Sequence, residues 1–305
     1  MQNLFGFLNI NKPLGCTSHD VIAILRKSIG IKKIGHSGTL DPFATGVLAV
    51  GVGDATRLFE YLPSDKTYIA EVTFGIGTDT DDITGKIIMK SDNIPSFEEI
   101  KDKLKRFSGK INQRPPAYSA VNINGRRAYD LARENKILTS DLKERAVEIY
   151  SIIVGAYNCK PLQGISTLDL QIHCSAGTYI RSIARDLGEV LSTSATLSKL
   201  KRIKVGSKFV IEKSLDLELI DKNTVLNHLI SPESIIELEC LSLNPVEEEH
   251  IVHGREVTVS FVTSKSKNLQ ILNKDGKLIG IGFLTESGTL KPKKVFLNVK
   301  GFSNV

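Results

Sequence analysis

Four cysteines in 305 residues, at positions 16, 159, 174 and 240, are too few and too scattered for a disulfide framework, and none forms a CxxC pair. That usage excludes the common zinc-ligand patterns and fits reduced thiols in a cytoplasmic protein. No apolar run approaches the ~18 residues of a membrane span. The start, MQNLFG, has neither a basic flank nor a long apolar stretch, so no secretory signal and no membrane contact are expected. Cofactor signatures are missing too. There is no Walker loop and no GxGxxG, and His250 and His253 stand three apart without an evident third ligand, so neither a cofactor nor a metal is expected. Charge is close to balanced: 40 Lys and Arg against 34 Asp and Glu leave +6. That permits a polyanionic partner without demanding one.

What remains is ordinary globular material, 41% apolar and 24% charged, in a length that allows two domains. One stretch organises it, GHSGTLDPFATGVL at residues 35–48. Glycines at 35, 38 and 46 open backbone angles that other residues avoid, and Pro42 pushes Asp41 out of the helical region. Residues 47–52 are apolar and β-rich, so a buried strand anchors a stiff loop carrying one carboxylate. Taken alone, an Asp-Pro pair is an Asx turn; on a shaped loop beside a strand it is also how a catalytic group is presented.

Before the loop, residues 6–10 read as a strand and KPLGCTS at 12–18 as a turn. Thr17 with Asp20 resembles a capping box for a helix ended by Gly30. After the loop, residues 53–62 read as a short helix, and KTYIAEVTF at 66–74 alternates as a strand headed by Tyr68. DTDDITG at 79–85 has the wrong spacing for a calcium loop and reads as a hairpin turn. Ser96 caps a helix that Gly109 stops. RPPAYSAV at 114–121 cannot be helix, whereas NGRRAYDLAR at 124–133 reads as a basic helix behind a glycine turn. Its Arg126, Arg127 and Arg133 form either a solvated face or a phosphate contact. Residues 145–156 and 165–174 read as strands leading into SAGTYIRSIARDLG at 175–188, where Ile180, Ile183, Ala184 and Leu187 share a helical face and Arg181 and Arg185 the other. TLSKLKRIKV at 196–205 places Leu197, Leu200 and Ile203 inward beneath four cations, among them Lys201 and Arg202, again a solvated face or a phosphate stripe. Residues 214–232 read as helix and linker. Beyond about residue 243 the chain turns to short strands at 255–261, 269–272, 278–283 and 294–299.

The string at 35–48 closely resembles the catalytic loop of the TruB family, the bacterial tRNA pseudouridine-55 synthases. The segments at 12–18, 66–85, 114–133 and 175–188 resemble further motifs of that family. The resemblance implies an α+β fold: a mixed, mainly antiparallel sheet flanked by helices over residues 1–240, with an RNA-gripping insertion at 110–150, and a small PUA-like barrel over 241–305. It implies that Asp41 is the catalytic nucleophile or base, that Arg181 pairs with it and keeps it ionised, and that Tyr68 stacks on the target base. Tyr179 and Leu200 would line the base pocket and His36 would take part in extruding the base, although a buried histidine also has a purely structural use. Arg126, Arg127, Lys201 and Arg202 would contact the RNA backbone. The implied reaction is isomerisation of uridine 55 to pseudouridine, without cofactor or metal, by a cytoplasmic monomer acting on the TΨC stem-loop of tRNA without a guide RNA. Two alternatives belong to other classes: a non-catalytic tRNA-binding or folding chaperone, and a guide-RNA-dependent synthase acting on ribosomal RNA. The intact Asp41 weighs against the first. The FATG continuation of the loop and the long 110–150 segment weigh against the second.

Overall fold

The computed structural model describes residues 4–160, 165–260 and 267–296. The chain opens with strand β1 (Gly6–Lys12) and helix α1 (Ser18–Ile29). The expected capping box starts that helix: Thr17 Oγ1 accepts from the Asp20 amide at 3.0 Å, and the Asp20 carboxylate accepts from the Thr17 amide at 2.9 Å. Strands β2 (Ile34–His36) and β3 (Thr45–Val52) bracket the 37–44 loop. A 3₁₀ stretch, Gly53–Tyr61, takes the place of a short α-helix. β4 (Lys66–Phe74) follows the alternating pattern, and β5 (Ile76–Thr78) with β6 (Ile87–Lys90) forms a hairpin tipped by the acidic turn. Next come α2 (Phe97–Leu104), capped by Ser96, and β7 (Gly109–Gln113). A small hairpin follows, β8 (Asn122–Ile123) and β9 (Arg126–Arg127), leading into α3 (Ala128–Arg133). Arg126 and Arg127 therefore lie on a strand rather than on the expected helix, because the Asn124-Gly125 turn pairs the residues on either side of it.

Strands β10 (Arg145–Lys160) and β11 (Ile165–Cys174) lead to α4 (Ile180–Val190) and β12 (Ala195–Val205). Short strands β13 (Phe209–Val210) and β14 (Leu215–Asp216) and helix α5 (Lys222–His228) close this part. Ten strands make one sheet whose main path is β14-β1-β3-β12-β4-β11-β10-β7, with β2 on β3 and β13 on β12. It is mixed and mainly antiparallel; β1–β14 and β3–β12 run parallel. The β3–β12 junction is close. Gly46 has φ 102°, and a Cβ on it would stand 2.2 Å from the Arg202 carbonyl oxygen, so only glycine fits. One face of the central strands, with Tyr68, Ala70, Val72, Phe74, Leu170, Ile172, Leu197 and Leu200, packs on Ile180, Ile183, Ala184 and Leu187 of α4 and on Ile100 and Leu104 of α2. Each such aliphatic burial stabilises by about 1.5–3 kcal/mol. The other face keeps Ile69 and its cross-strand partner Lys201 exposed.

The C-terminal part is a five-stranded sheet in the order β15-β17-β18-β19-β16, built from β15 (Cys240–Ser242), β16 (Val257–Thr258), β17 (Lys267–Leu272), β18 (Leu278–Leu284) and β19 (Thr289–Val295). A helix, α6 (Pro245–Val252), packs on it, with Ile251 in the shared core. That helix was not expected, although Asn244 as cap, Pro245 at the first turn and Glu247 three residues after the cap are its start signal. The strand expected at 255–261 shortens to β16, and residue 261 lies outside the described residues. The last strand begins at Thr289, earlier than expected, and positions 297–299 are also outside. Leu278, Ile281 and Phe296 join Phe5, Phe7, Val47 and Phe209 in one apolar cluster, so the small sheet docks on the large one through a common core.

Candidate active site

The 37–44 loop is held from beneath by groups far away in sequence. The Gly15 amide donates to Pro42 O at 2.8 Å, and Ser18 Oγ accepts from the Leu40 amide at 2.9 Å and donates to Leu40 O at 3.2 Å. The buried Lys12 ammonium donates to Pro13 O and Cys16 O and reaches Pro42 O at 3.4 Å. Burial lowers its pKa from the usual lysine value. Arg202 completes the support. Its Nε donates to Val47 O at 2.7 Å, Nη2 to Gly38 O at 3.1 Å and Nη1 to Thr39 O at 3.4 Å. Asp41 therefore stands on a loop fixed on both flanks.

Arg181, on the first turn of α4, turns into the site and is 5% exposed. Its Nε lies 2.9 Å from Asp41 Oδ2 and its Nη2 3.1 Å from Oδ1, a two-pronged fork. The remaining donors are spent on Thr80 O at 2.9 Å and Tyr118 O at 3.0 Å, and Asp82 Oδ2 lies 3.7 Å from Nη1. One helical turn on, Arg185 donates to Asp81 Oδ2 at 2.8 Å, to Asp186 Oδ1 at 2.9 Å and to Arg114 O at 2.8 Å. The two arginines thus hold residues 80, 81 and 82 in succession. Asp81 has φ 61°, a left-handed angle uncommon outside glycine. Burial pushes its carboxyl up to about 6 against the pull of Arg185 and Arg181.

Asp41, Arg181, Thr80 and Asp82 border a cleft of about 750 Å³, the size of a small-ligand site. Asp41, Tyr68, Tyr179, Arg181, Leu200 and Arg202 all line it, so residues marked out far apart in the sequence converge. Tyr68 is 7% exposed, and burial raises its phenol pKa. Gln113 fixes Tyr179 at the start of α4 by accepting from its amide at 2.8 Å and donating to its carbonyl at 3.0 Å. The opposite wall comes from the segment at 118–133, through Tyr118, Ser119, Ala120, Tyr129 and Arg133 alone. That segment folds on a core of its own around Val121, Ala128, Ala132, Ile137 and Leu142, against which Tyr179 also packs.

Other expected residues are placed differently. Arg202 borders the cleft but is not an openly RNA-facing cation: it is 1% exposed, with its guanidinium consumed by loop carbonyls. Lys201, its neighbour on β12, points to the opposite sheet face, since adjacent strand residues alternate. His36 does not line the cleft. Its ring packs edge-on against His19 at 5.6 Å, with Nδ1 buried and without a partner among the described residues, and burial lowers its pKa. Arg126 and Arg127 are exposed but outside the cleft wall; Arg126 pairs with Glu134, and Arg127 donates to Ala120 O at 2.8 Å. Sequence reasoning missed the loop clamp by Lys12 and Arg202, and it took the 79–85 turn for a plain hairpin. The doubled aspartate there was the available signal: two adjacent carboxylates need cations, and Arg181 and Arg185 are spaced to supply them.

The family model described as TruB family pseudouridylate synthase (N terminal domain) matches residues 26–180. Pseudouridine synthase II TruB, C-terminal, matches residues 240–296. The chain is 40% identical over 297 residues to tRNA pseudouridine synthase B of Acaryochloris marina, covering 96% of this chain and 99% of that protein. It is 44% identical over 263 residues to tRNA pseudouridine synthase B of Microcystis aeruginosa, covering 84% and 86%. Among solved structures, a chain of a Cbf5-Nop10-Gar1 complex matches with TM-score 0.70 at 24% identity, over 96% of this chain and 85% of that one. An H/ACA RNP bound to a substrate RNA containing 2'-deoxyuridine gives 0.69 at 24%, with the same coverage. These likenesses in structure establish the fold: a pseudouridine synthase sheet with helices and a PUA-like C-terminal sheet.

Proposed function

The chain belongs to the TruB family of pseudouridylate synthases, and from that premise we propose that it isomerises uridine 55 in the TΨC loop of tRNA, with Asp41 as the reacting carboxylate. The observation that carries this is the fork of Arg181 on Asp41 at the floor of a cleft walled by Tyr68, Tyr179 and Leu200. The reaction breaks the bond from ribose C1′ to uracil N1 and makes one from C1′ to C5. The proton on C5 leaves and N1 takes one up, so atoms and charge balance without an oxidant. It needs a carboxylate in fixed orientation and a pocket that retains the detached base while it turns. Arg181 holds Asp41 by both oxygens, and the loop beneath it cannot move without breaking the bonds to Lys12, Ser18 and Arg202. Attack at C1′, attack on the ring and removal of a ribose proton are all within the chemistry of this carboxylate.

The target base has to leave its RNA stack, at a cost of a few kcal/mol, and an aromatic wall such as Tyr68 returns about 1–3 kcal/mol by stacking. Under this reading residues 1–240 are the catalytic part, residues 110–150 grip the RNA and residues 241–305 add RNA contact. The protein acts as a cytoplasmic monomer and uses no guide RNA. Among the described residues no helix is long and apolar enough to cross a membrane. Incubating the purified protein with an unmodified tRNA transcript and no other RNA, then mapping pseudouridine, tests the proposal. Pseudouridine at position 55 alone is expected; its absence, or its appearance only when a guide RNA is added, overturns the assignment.

A further inference from the structure

Lys66 opens β4 two residues before Tyr68, and both line the cleft. Residues i and i+2 of a strand share a face about 7 Å apart. That is a span a ribose can cover, so a base lying against Tyr68 brings its own phosphate level with Lys66. The Lys66 ammonium has three donors. Among the described residues its one hydrogen bond goes to Ser64 O at 2.7 Å, and it enters no ion pair. Nearby acids are engaged elsewhere: Asp65 holds His173 at 2.9 Å, and Asp41 is held by Arg181. Cys174, paired with Lys66 across β11, is pushed up to about 11 by burial and stays a neutral thiol. The remaining charged neighbour is Arg202. Both cations approach Gly38: a Cβ on that residue would stand 3.4 Å from Lys66 Cε and 3.8 Å from Arg202 Nη1. Two cations therefore meet at this end of the cleft, and among the described residues neither pairs with a carboxylate.

We propose that Lys66 binds a backbone phosphate of the RNA, the one attached to the nucleotide whose base enters the cleft. The inference rests on the reading of the chain as a tRNA pseudouridine synthase, and it assigns to this end of the cleft an anion site that a neutral uracil could not satisfy. Burial, and after it Arg202, pulls the Lys66 ammonium down to about 8, and the negative charge of an incoming phosphate offsets both by favouring the charged form.

The test is a thermodynamic cycle. Synthetic TΨC stem-loops carry a single neutral methylphosphonate on the 5′ or the 3′ side of the target uridine, and each is titrated against wild type, Lys66→Met and Lys66→Arg at several salt concentrations. In wild type, one of the two neutral linkages weakens binding about tenfold, the scale of one charge-assisted hydrogen bond. Lys66→Met shows the same loss with natural RNA and no further loss with that neutral linkage, and its salt slope is smaller by about one. Lys66→Arg keeps most of the affinity, which separates the contact from a fault in folding. Losses that multiply, or natural affinity in Lys66→Met, overturn the contact while leaving the activity assignment intact. If wild type fails to convert the natural stem-loop, the activity assignment falls and this site with it.

Discussion

A guanidinium buried without a carboxylate has to be satisfied by other oxygens, and Arg202 finds three in the backbone of the loop that carries Asp41. Removing it leaves those carbonyls unpaired, and each unmet acceptor costs about 1–3 kcal/mol. Arg202→Met is therefore expected to lose about 3 kcal/mol or more of stability in a denaturant titration, and Arg202→Lys to recover part of it. A loss under about 1 kcal/mol would mean that the loop holds itself. Asp41 could be picked out because glycine and proline shape its loop, and Arg181 through the family resemblance of the string around it. Arg202 could not, because TLSKLKRIKV fits two periods. Leu197, Leu200 and Ile203 at spacing three put every cation outside; the strand that forms instead turns Leu200 and Arg202 to the same buried side, and Ile203 is only partly covered.

At the scale of elements, α4 and the turn at 79–85 act as a pair. Arg181 and Arg185 stand one turn apart and grip three consecutive residues, and the same Arg181 aims at Asp41. With the Asp81 carboxyl raised to about 6, protonation below that pH weakens its bond to Arg185 and loosens the turn beside Asp82 and Arg181. Single-turnover rates are expected to drop as pH falls through about 6 in wild type, while Asp81→Asn runs at a lower, flat rate across that range. An unchanged inflection in the variant would detach Asp81 from the profile. The elements themselves followed from the chain where a cap or strict alternation marked them, as at Thr17, Ser96 and residues 66–74. The 120s were misjudged because a basic run says nothing about backbone pairing, whereas the Asn124-Gly125 turn decides it.

Across the whole molecule, the two sheets share a core rather than a tether. Ile281 of β18 is fully buried in a cluster with Phe5, Val47 and Phe209, and Arg57 donates to Val295 O at 3.1 Å at the rim. Val47 belongs to the strand behind the loop that carries Asp41, so the C-terminal sheet buttresses the candidate site's own scaffold. Ile281→Ala is expected to cost about 2–5 kcal/mol and to lower a single melting transition followed by probes in both sheets. Two separate transitions would show that the parts are independent. This docking could not be read from sequence, because short alternating strands define a sheet but not the surface it packs against.

The central claim is that one carboxylate, fixed by a forked arginine at the floor of a nucleobase-sized cleft, drives the isomerisation. Single-turnover conversion of an unmodified tRNA transcript by Asp41→Asn, measured beside its tRNA affinity, tests that claim most directly. No detectable pseudouridine with affinity close to that of wild type is the predicted result; conversion at near the wild-type rate would contradict it.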